Sequence, residues 1–261
     1  KMRHFLHFLA KHVEKNLAAW YNIMLFNVTG LGFKELNEKL RGSNSPVTLS
    51  GCCGQRFIAS GMKDKCITIE GVPGNALGSY LNGASITVNG NAQDAVGDTM
   101  NDGEIIIHGN IGDAAGYAMR GGKIYIKGNA GYRAGIHMKE YKEKVPVMII
   151  GGSAGSFLGE YQAGGIIVVL ALNTSGKIVG NFPCTGMHGG KVFFRGNVLQ
   201  NDFPQNISLR PATSADMGSV TEQISEYASL FGYDKEKILN SPFTVAVPDS
   251  KNPYKQMYVA N

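Results

Sequence analysis

A repeat of nineteen residues runs through most of this chain and restricts its fold more than any other feature. Two columns of glycine and one column of methionine or leucine keep the same spacing. The three columns are Gly71, Gly90, Gly109 and Gly128; Gly78, Gly97, Gly116 and Gly135; and Met62, Leu81, Met100, Met119 and Met138. Because helical repeats need about thirty or more residues per unit, a nineteen-residue period excludes them.

Each copy contains a turn, a short GxxM segment, a double-glycine corner and a strand of a few residues. Strands this short cannot bury an apolar face alone. Stacked copies about 4.8 Å apart satisfy one another's backbone groups and share one interior. Glycine is expected at the corners, since a positive φ is cheap only without a Cβ. The sequence therefore predicts an all-β solenoid, a single-stranded parallel β-helix of about seven coils with flanking helices.

Side chains alternate between the two faces of a strand, so two positions in the strand of each copy point inward. The predicted interior columns are Ile67, Ile86, Ile105, Ile124, Met148, Ile167 and Val192, and Ile69, Val88, Ile107, Ile126, Ile150, Val169 and Phe194. A corner column holds Asn91, Asn110 and Asn129, whose amides are expected to form hydrogen bonds along the solenoid axis.

An outward-facing column between the two interior columns is unexpectedly apolar. It includes Tyr125, Ile149, Val168 and Phe193. An apolar strip of this length on a sheet surface is usually covered. The sequence does not decide whether the chain's own terminal helices or a partner subunit buries the strip. The four residues are therefore candidate interface residues.

The fifth copy is five residues longer than the others, and the extra residues lie in the charged segment 137–144. Such a loop is either simply solvated or a docking contact that protrudes from a rigid scaffold. His137 and Tyr141 in this segment complete the set of candidate interface residues. The repeat predicts no other insertion.

The repeat also suggests how the chain is divided. Residues 1–23 are predicted to be a helical leader or a cloning remnant, 24–53 an N-terminal cap, 54–200 the β-helix, and 201–261 a helical C-terminal cap and tail. Within the last segment, 214–231 and 234–240 have helical apolar spacing. A cap is required because the end of a solenoid exposes unpaired strand edges.

Composition excludes two classes of partner. The net charge is +5, but four basic residues against one acidic residue in 1–23 supply most of it. The remaining +2 is not clustered, so nucleic-acid binding is not expected. The chain has no run of eighteen apolar residues, and no membrane span is predicted.

Four cysteines stand at positions 52, 53, 66 and 184 without a CxxC pair or zinc-ligand spacing. They are expected to be reduced thiols of an intracellular, cytoplasmic protein. The alternative is a redox or cluster site that uses Cys52, Cys53 and Cys66.

Several stretches of the coils resemble a known family. They are Gly54–Arg56, Gly74–Gly78, Asn91–Asp94, Tyr117–Gly122, Ala134–Lys139 and Thr185–Gly190. The chain resembles, over about 25–258, the GXGXG domain at the C-terminus of the glutamate synthase large subunit. The similarity is greatest to the free-standing form found where that subunit is split into separate polypeptides.

The resemblance implies a right-handed parallel β-helix that has no catalytic residue and no cofactor of its own. It implies a structural subunit that holds the glutaminase and the FMN-binding synthase subunits together. FMN and iron–sulfur clusters would then belong to the partner subunits. Association with further copies of the same chain is also open.

Two other functions are weighed against this one. The C subunit of formylmethanofuran dehydrogenase, and of the related formyltransferase/hydrolase complex, uses similar coils. Hexapeptide acyltransferases have left-handed coils of about eighteen residues and a histidine base, for which only His108, His137 and His188 are candidates. Their six-residue rhythm does not continue within any coil, so this class is disfavoured.

Overall fold

The computed structural model describes residues 23–44 and 46–249, and in this part of the chain one eleven-stranded sheet dominates. The strands are β1 (Met24–Asn27), β2 (Val47–Cys53), β3 (Cys66–Val72), β4 (Asn82–Asn89), β5 (Asp102–Ile107), β6 (Lys123–Ile126), β7 (Val147–Ile150), β8 (Ala163–Val169), β9 (Gly189–Arg195), β10 (Ile207–Pro211) and β11 (Phe243–Pro248). The α-helices are α1 (Phe33–Gly42), α2 (Ser214–Gly218), α3 (Thr221–Phe231) and α4 (Lys235–Leu239), and a 3₁₀ turn spans Gln200–Asp202.

Strands β1 to β9 pair in parallel and in sequence order, which confirms the predicted solenoid. The registers follow the repeat, as in the pairing of Ile67 with Ile86. A second ladder of single parallel bridges joins Ala92, Ile111, Ala130, Ala154 and Val179 on another side of the coils. The solenoid has about eight turns, because β2, which lies in the segment predicted as an N-terminal cap, adds one coil to the expected seven.

Beyond β3, two coils are longer than nineteen residues. Ile124 pairs with Met148, and Ile167 pairs with Val192, 25 positions later. The first lengthening is the predicted insertion, but the second was missed. It lies in the exposed turn around 173–177, and the expectation of a single insertion is therefore wrong.

Both predicted interior columns are buried in one continuous core, so the inside–outside assignment is confirmed. The asparagine column forms hydrogen bonds along the axis. The backbone N–H of Asn110 donates to Oδ1 of Asn91 at 2.8 Å, and that of Asn129 donates to Oδ1 of Asn110 at 2.8 Å. Each asparagine thus ties its own coil to the next.

The GxxM segments adopt an unusual backbone in which left-handed residues alternate with others. Gly97 has φ +68°, and a Cβ at this position would meet Cδ1 of Ile124 in the core. The positions two residues to either side of this glycine column are also left-handed although they are not glycine, as at Arg133 and His137. Hydrogen bonds between coils hold these non-glycine residues in the left-handed conformation, as from the Arg133 N–H to the Ser156 carbonyl.

The C-terminal cap combines helices with an antiparallel hairpin. Strand β11 pairs antiparallel with both β9 and β10, so the cap continues the sheet. Helix α2 begins with a capping box between Thr213 and Asp216, and α3 ends at the left-handed Gly232. None of the helices in the described ranges is long and apolar enough to cross a bilayer.

Candidate interaction surfaces

The outer apolar column lies beneath the chain's own C-terminal cap. Tyr125, Ile149, Val168 and Phe193 are completely buried in a second apolar cluster, which includes Ile224 and Tyr227 of α3 and Val245 of β11. Of the two covers that the sequence left open, the chain's own elements are the one observed. A partner has no access to these four side chains while the cap is docked, which corrects their interpretation as interface residues.

A polar cluster borders this buried column. Glu226 of α3 accepts hydrogen bonds at Oε2 from Nζ of Lys123 at 2.5 Å and from the Tyr125 hydroxyl at 2.6 Å. Burial tends to raise the pKa of Glu226, but these donors outweigh it and hold the pKa below its usual value. Burial, followed by the charge of Glu226, raises the pKa of the neighbouring Glu104. The two carboxyl groups are therefore arranged to share a proton.

An open groove of about 710 Å³ lies between the sheet, the inserted loop and the start of α3. We call it the cap groove. Its lining includes Glu104, Lys123, Lys144, Val145, Ile166 and Gln223.

The inserted loop forms one wall of the cap groove. Nζ of Lys144 contacts Oδ2 of Asp102 at 2.7 Å, and this ion pair fixes the loop against the edge of β5. Tyr141, bridged to Lys144 across the turn of the loop, is 49% exposed, with Nζ of Lys142 5.4 Å from the centre of its ring. Tyr141 is therefore accessible and remains a candidate contact.

A second surface, which we call the aromatic face, lies on the GxxM segments of four successive coils. It consists of Tyr117, Tyr132, Arg133, His137, Phe157, Tyr161 and Phe182. Tyr132 is 56% exposed and Phe182 is 59% exposed. Large aromatic side chains are rarely left in water without a reason when they occur as a group.

Ring contacts hold the aromatic face together. His137 packs edge-on against Tyr117 at 5.9 Å and stacks on Tyr161 at 5.2 Å between ring centres. The Arg133 guanidinium lies 5.0 Å from the ring centre of Phe157, and its Nε donates to Glu160 at 2.9 Å. The contacts therefore form two rows, Tyr117–His137–Tyr161 and Arg133–Phe157–Phe182, and each row spans about 10 Å at a coil spacing of about 4.8 Å.

The backbone explains why these side chains point outward. Arg133 and His137 flank the buried Gly135, and all three have positive φ. Sequence reasoning identified only His137 on this face. The other residues of the face could have been found from one pattern, because aromatic residues recur beside the GxxM segment in the later copies. The two lengthened coils shift these residues out of the nineteen-residue register, so the pattern was not recognised.

The cysteines do not form a common site. The pairing of β2 with β3 puts Cys53 opposite Val72, whereas Cys66 precedes Ile67 at the other end of the strand pair. Six residues of strand, about 20 Å, separate the two positions. Burial raises the pKa of Cys52 to about 11 and that of Cys184 to about 12. In the described ranges, no group of three or more His, Cys, Asp or Glu side chains is arranged to hold a metal ion.

These observations define a class of protein, a parallel β-solenoid that displays preorganised surfaces on a stacked scaffold. The sequence also matches the GXGXG motif family over residues 40–249. The chain belongs to the GXGXG family.

Two individual proteins are similar along nearly the whole chain. An uncharacterized protein of Methanocaldococcus jannaschii is 41% identical over 250 residues, which cover 90% of this chain and 96% of the relative. A chain in the crystal structure of the formyltransferase/hydrolase complex of Methylorubrum extorquens with methylofuran has a TM-score of 0.60 and 20% identity. That match covers 85% of this chain and 86% of the other, and at this identity it shows the fold alone.

Proposed function

We propose that this protein is a non-catalytic scaffold subunit of a split glutamate synthase. It holds a glutaminase subunit and an FMN-binding synthase subunit together in the cytoplasm. FMN and iron–sulfur clusters reside in the partners, and this chain carries no cofactor. Membership of the GXGXG family and the glutamate synthase-like stretches of the coils support the proposal.

The aromatic face is the observation that carries the proposal. Tyrosine, phenylalanine, histidine and arginine lie side by side on it, and interfaces are enriched in tyrosine, phenylalanine and arginine. Six of these side chains are already packed in two rows of ring contacts, so they lose little side-chain entropy when a partner binds. The solenoid below them is tied together by backbone hydrogen bonds and the asparagine ladder. Such a strip suits a scaffold that must keep two catalytic subunits in a fixed arrangement.

A second function, as a subunit of a formyltransferase/hydrolase or formylmethanofuran dehydrogenase complex, has one observation in its favour. The match to a chain of the Methylorubrum complex extends over most of both chains. In that complex the protein would be a structural subunit too. The two proposals therefore differ in the identity of the partners and agree on the role of the chain.

Purification of the tagged protein from its native host distinguishes them. We expect stoichiometric recovery of a glutaminase and a flavin-containing synthase, and glutamate formation from glutamine and 2-oxoglutarate by the purified assembly. Recovery of formyltransferase and hydrolase chains would establish the second function. A chain that purifies alone from fresh extract, with both sets of proteins present in the flow-through, would contradict both.

A further inference from the structure

Strand β1 is an open edge of the large sheet. Among the described residues its one neighbouring strand is β2, which lies parallel to it. On the β2 side, the N–H of Met24 donates to the carbonyl of Pro46 at 3.1 Å, and the N–H of Val28 donates to that of Ser50 at 2.9 Å. Because a strand uses alternate residues to bond one neighbour, the peptide groups of Leu25 point away from β2. The free side of β1 therefore presents donors and acceptors suited to a further strand.

The two edges of the sheet differ in how they are protected. The opposite edge, β10, carries Arg210 and ends at Pro211. Charged residues and proline are usual means by which an edge strand is kept from further pairing. Strand β1 has the sequence Met-Leu-Phe-Asn, with neither of them, and the sequence from 23 to 33 contains no charged residue. The edge at β1 is thus open to pairing, and the edge at β10 is not.

Apolar side chains of β1 are exposed although the interior of the solenoid is closed at this end. Leu36 and Leu40 of α1 are buried in the continuous core, so this helix covers the first coil. Leu25 is nevertheless 69% exposed on the outer face of β1, and Met24 is 37% exposed on the other face. An uncharged edge strand with exposed apolar side chains associates indiscriminately unless another strand covers it. A specific cover is therefore expected.

We infer that two copies of this chain pair through β1, antiparallel and about a two-fold axis at Leu25. Leu25 then lies opposite its own copy, and Ile23 opposite Asn27, on the outer face. On the inner face Met24 lies opposite Phe26. In this register the residues whose peptide groups point away from β2 face one another, so their N–H and C=O groups bond in both directions. The sheets of the two copies become one continuous sheet.

A second copy fits this edge because β1 is complementary to itself. The register sets apolar side chains against apolar ones and no like charges opposite each other. Outside residues 1–23 the net charge is only +2, so repulsion between two copies is weak. Head-to-tail stacking would need the edge at β10, which Arg210 and Pro211 protect. The association therefore closes as a dimer and does not grow into a filament.

The dimer goes beyond the proposed function and does not depend on it. It brings two aromatic faces onto one scaffold, so each assembly would hold two sets of partners. Because the dimer forms without those partners, it is tested on the purified full-length chain, and the result leaves the identity of the partners open.

Sedimentation velocity over a range of concentrations, with a charge-swap pair at position 25, tests the inference. We expect the wild-type chain to dimerise with a Kd in the micromolar range or below. Leu25→Lys and Leu25→Glu should each raise that Kd by roughly tenfold or more, because like charges replace an apolar contact at the axis. An equimolar mixture of the two variants should dimerise again, because opposite charges then meet. Restoration by mixing requires that the two positions 25 lie opposite each other.

Leu199→Lys is the matched control, because Leu199 is 71% exposed at a distant site. It should dimerise as wild type does, and circular dichroism should show that all variants are folded. A wild-type chain that stays monomeric at every concentration would overturn the inference. So would a Leu25→Lys chain that dimerises as well as the control, or a mixture that remains monomeric.

Hydrogen exchange at the Leu25 amide provides a second readout. In the dimer this amide is bonded to the other copy, so its exchange should slow as the concentration rises. Slow exchange at Leu25 in a chain that is monomeric throughout would assign the edge to residues 1–22 of the same chain. Fast exchange in such a monomer would assign it to a strand from a different subunit. Both results exclude the second copy.

Discussion

At the scale of single residues, burial within the solenoid decides whether a position tolerates substitution by a charged residue. Ile107 belongs to an interior column and is completely buried, whereas Lys127, one coil further and one position beyond the strand, is exposed. The interior offers no counter-charge to a carboxylate at Ile107, because its neighbours in the column are aliphatic. The same carboxylate at Lys127 remains in water.

We therefore expect Ile107→Asp to destabilise the fold by several kcal/mol, since an unpaired charge would be buried. Lys127→Asp should change the free energy of unfolding by less than about 1 kcal/mol. Urea denaturation followed by circular dichroism measures both. Similar losses at the two positions would mean that the strand faces are assigned wrongly.

The Glu104–Glu226 pair predicts a dependence of stability on pH. The pKa of Glu104 is raised in the folded chain, so its contribution is complete below the usual glutamate pKa of 4.5 and is lost as the pH rises through the folded value. Glu226 has the opposite sign, because its pKa is lowered. Its contribution is present above its usual pKa and is lost as the pH falls.

Glu104→Gln should remove the loss on the alkaline side, because an amide donates a hydrogen bond to Glu226 at any pH. We expect the variant to have a higher Tm than wild type at pH 8 and a smaller difference at pH 4. Thermal unfolding across this range is the measurement. A difference that does not depend on pH would argue against a shared proton.

Much of this residue-level organisation was accessible from the sequence. The alternation in the strands correctly placed Ile107 inside, because the period of two is enforced by the pleat. The left-handed conformation of Arg133 was not accessible, since arginine has no preference for positive φ, and the enrichment of histidine there does not single out His137. Stacking between coils imposes that conformation, and stacking is a tertiary effect.

At the scale of elements, the C-terminal cap buries the apolar outer column of the solenoid within the chain itself. Helix α3 packs Ile224 and Tyr227 onto the outer column, and Asp216 of α2 contacts Lys191 of β9 and Arg210 of β10. These donors, Arg210 foremost, hold the pKa of Asp216 well below its usual range, against the effect of burial. Apolar burial of α3 and the ion pairs of α2 therefore both hold the C-terminal cap against the solenoid.

Ile224→Asp should undock α3, at a cost of more than about 3 kcal/mol, and expose Tyr125 and Phe193 to solvent. Binding of a hydrophobic dye and faster hydrogen exchange in β6 to β9 would report the exposure. Ser229→Asp, on the exposed side of the same helix, is the control and should have less than about 0.5 kcal/mol of effect. A folded Ile224→Asp variant with unchanged exchange would show that α3 is not the cover.

The sequence predicted helices in the cap but not its architecture. The periodic segment 214–231 is two helices, α2 and α3, separated at Ser219 and Val220. Strand β11 was missed because its pairing with β9 depends on residues that lie far away in the sequence, as in the pairing of Phe243 with Arg195. Periodicity identifies a local face, but it does not identify what that face packs against.

At the scale of the whole molecule, the fold is a stack of coils whose apolar interior and apolar outer column are both closed by the chain itself. The aromatic face and the cap groove are two surfaces that the described residues leave open to partners. We expect the purified chain to show no flavin or iron–sulfur absorbance and no turnover of glutamine with 2-oxoglutarate. Absorbance spectra and a glutamate assay check this, and activity from the chain alone would contradict a scaffold role.

The stoichiometry of the native assembly, measured by native mass spectrometry, tests the scaffold role most directly. The comparison is between wild type, a Tyr117→Ser, Tyr132→Ser double variant of the aromatic face, and a Leu199→Ser control at an exposed apolar residue elsewhere. We expect wild type and control to form the same multi-subunit complex, and the double variant to remain folded, with unchanged circular dichroism, but without at least one partner. A double variant that assembles as wild type does would contradict the role assigned to the aromatic face.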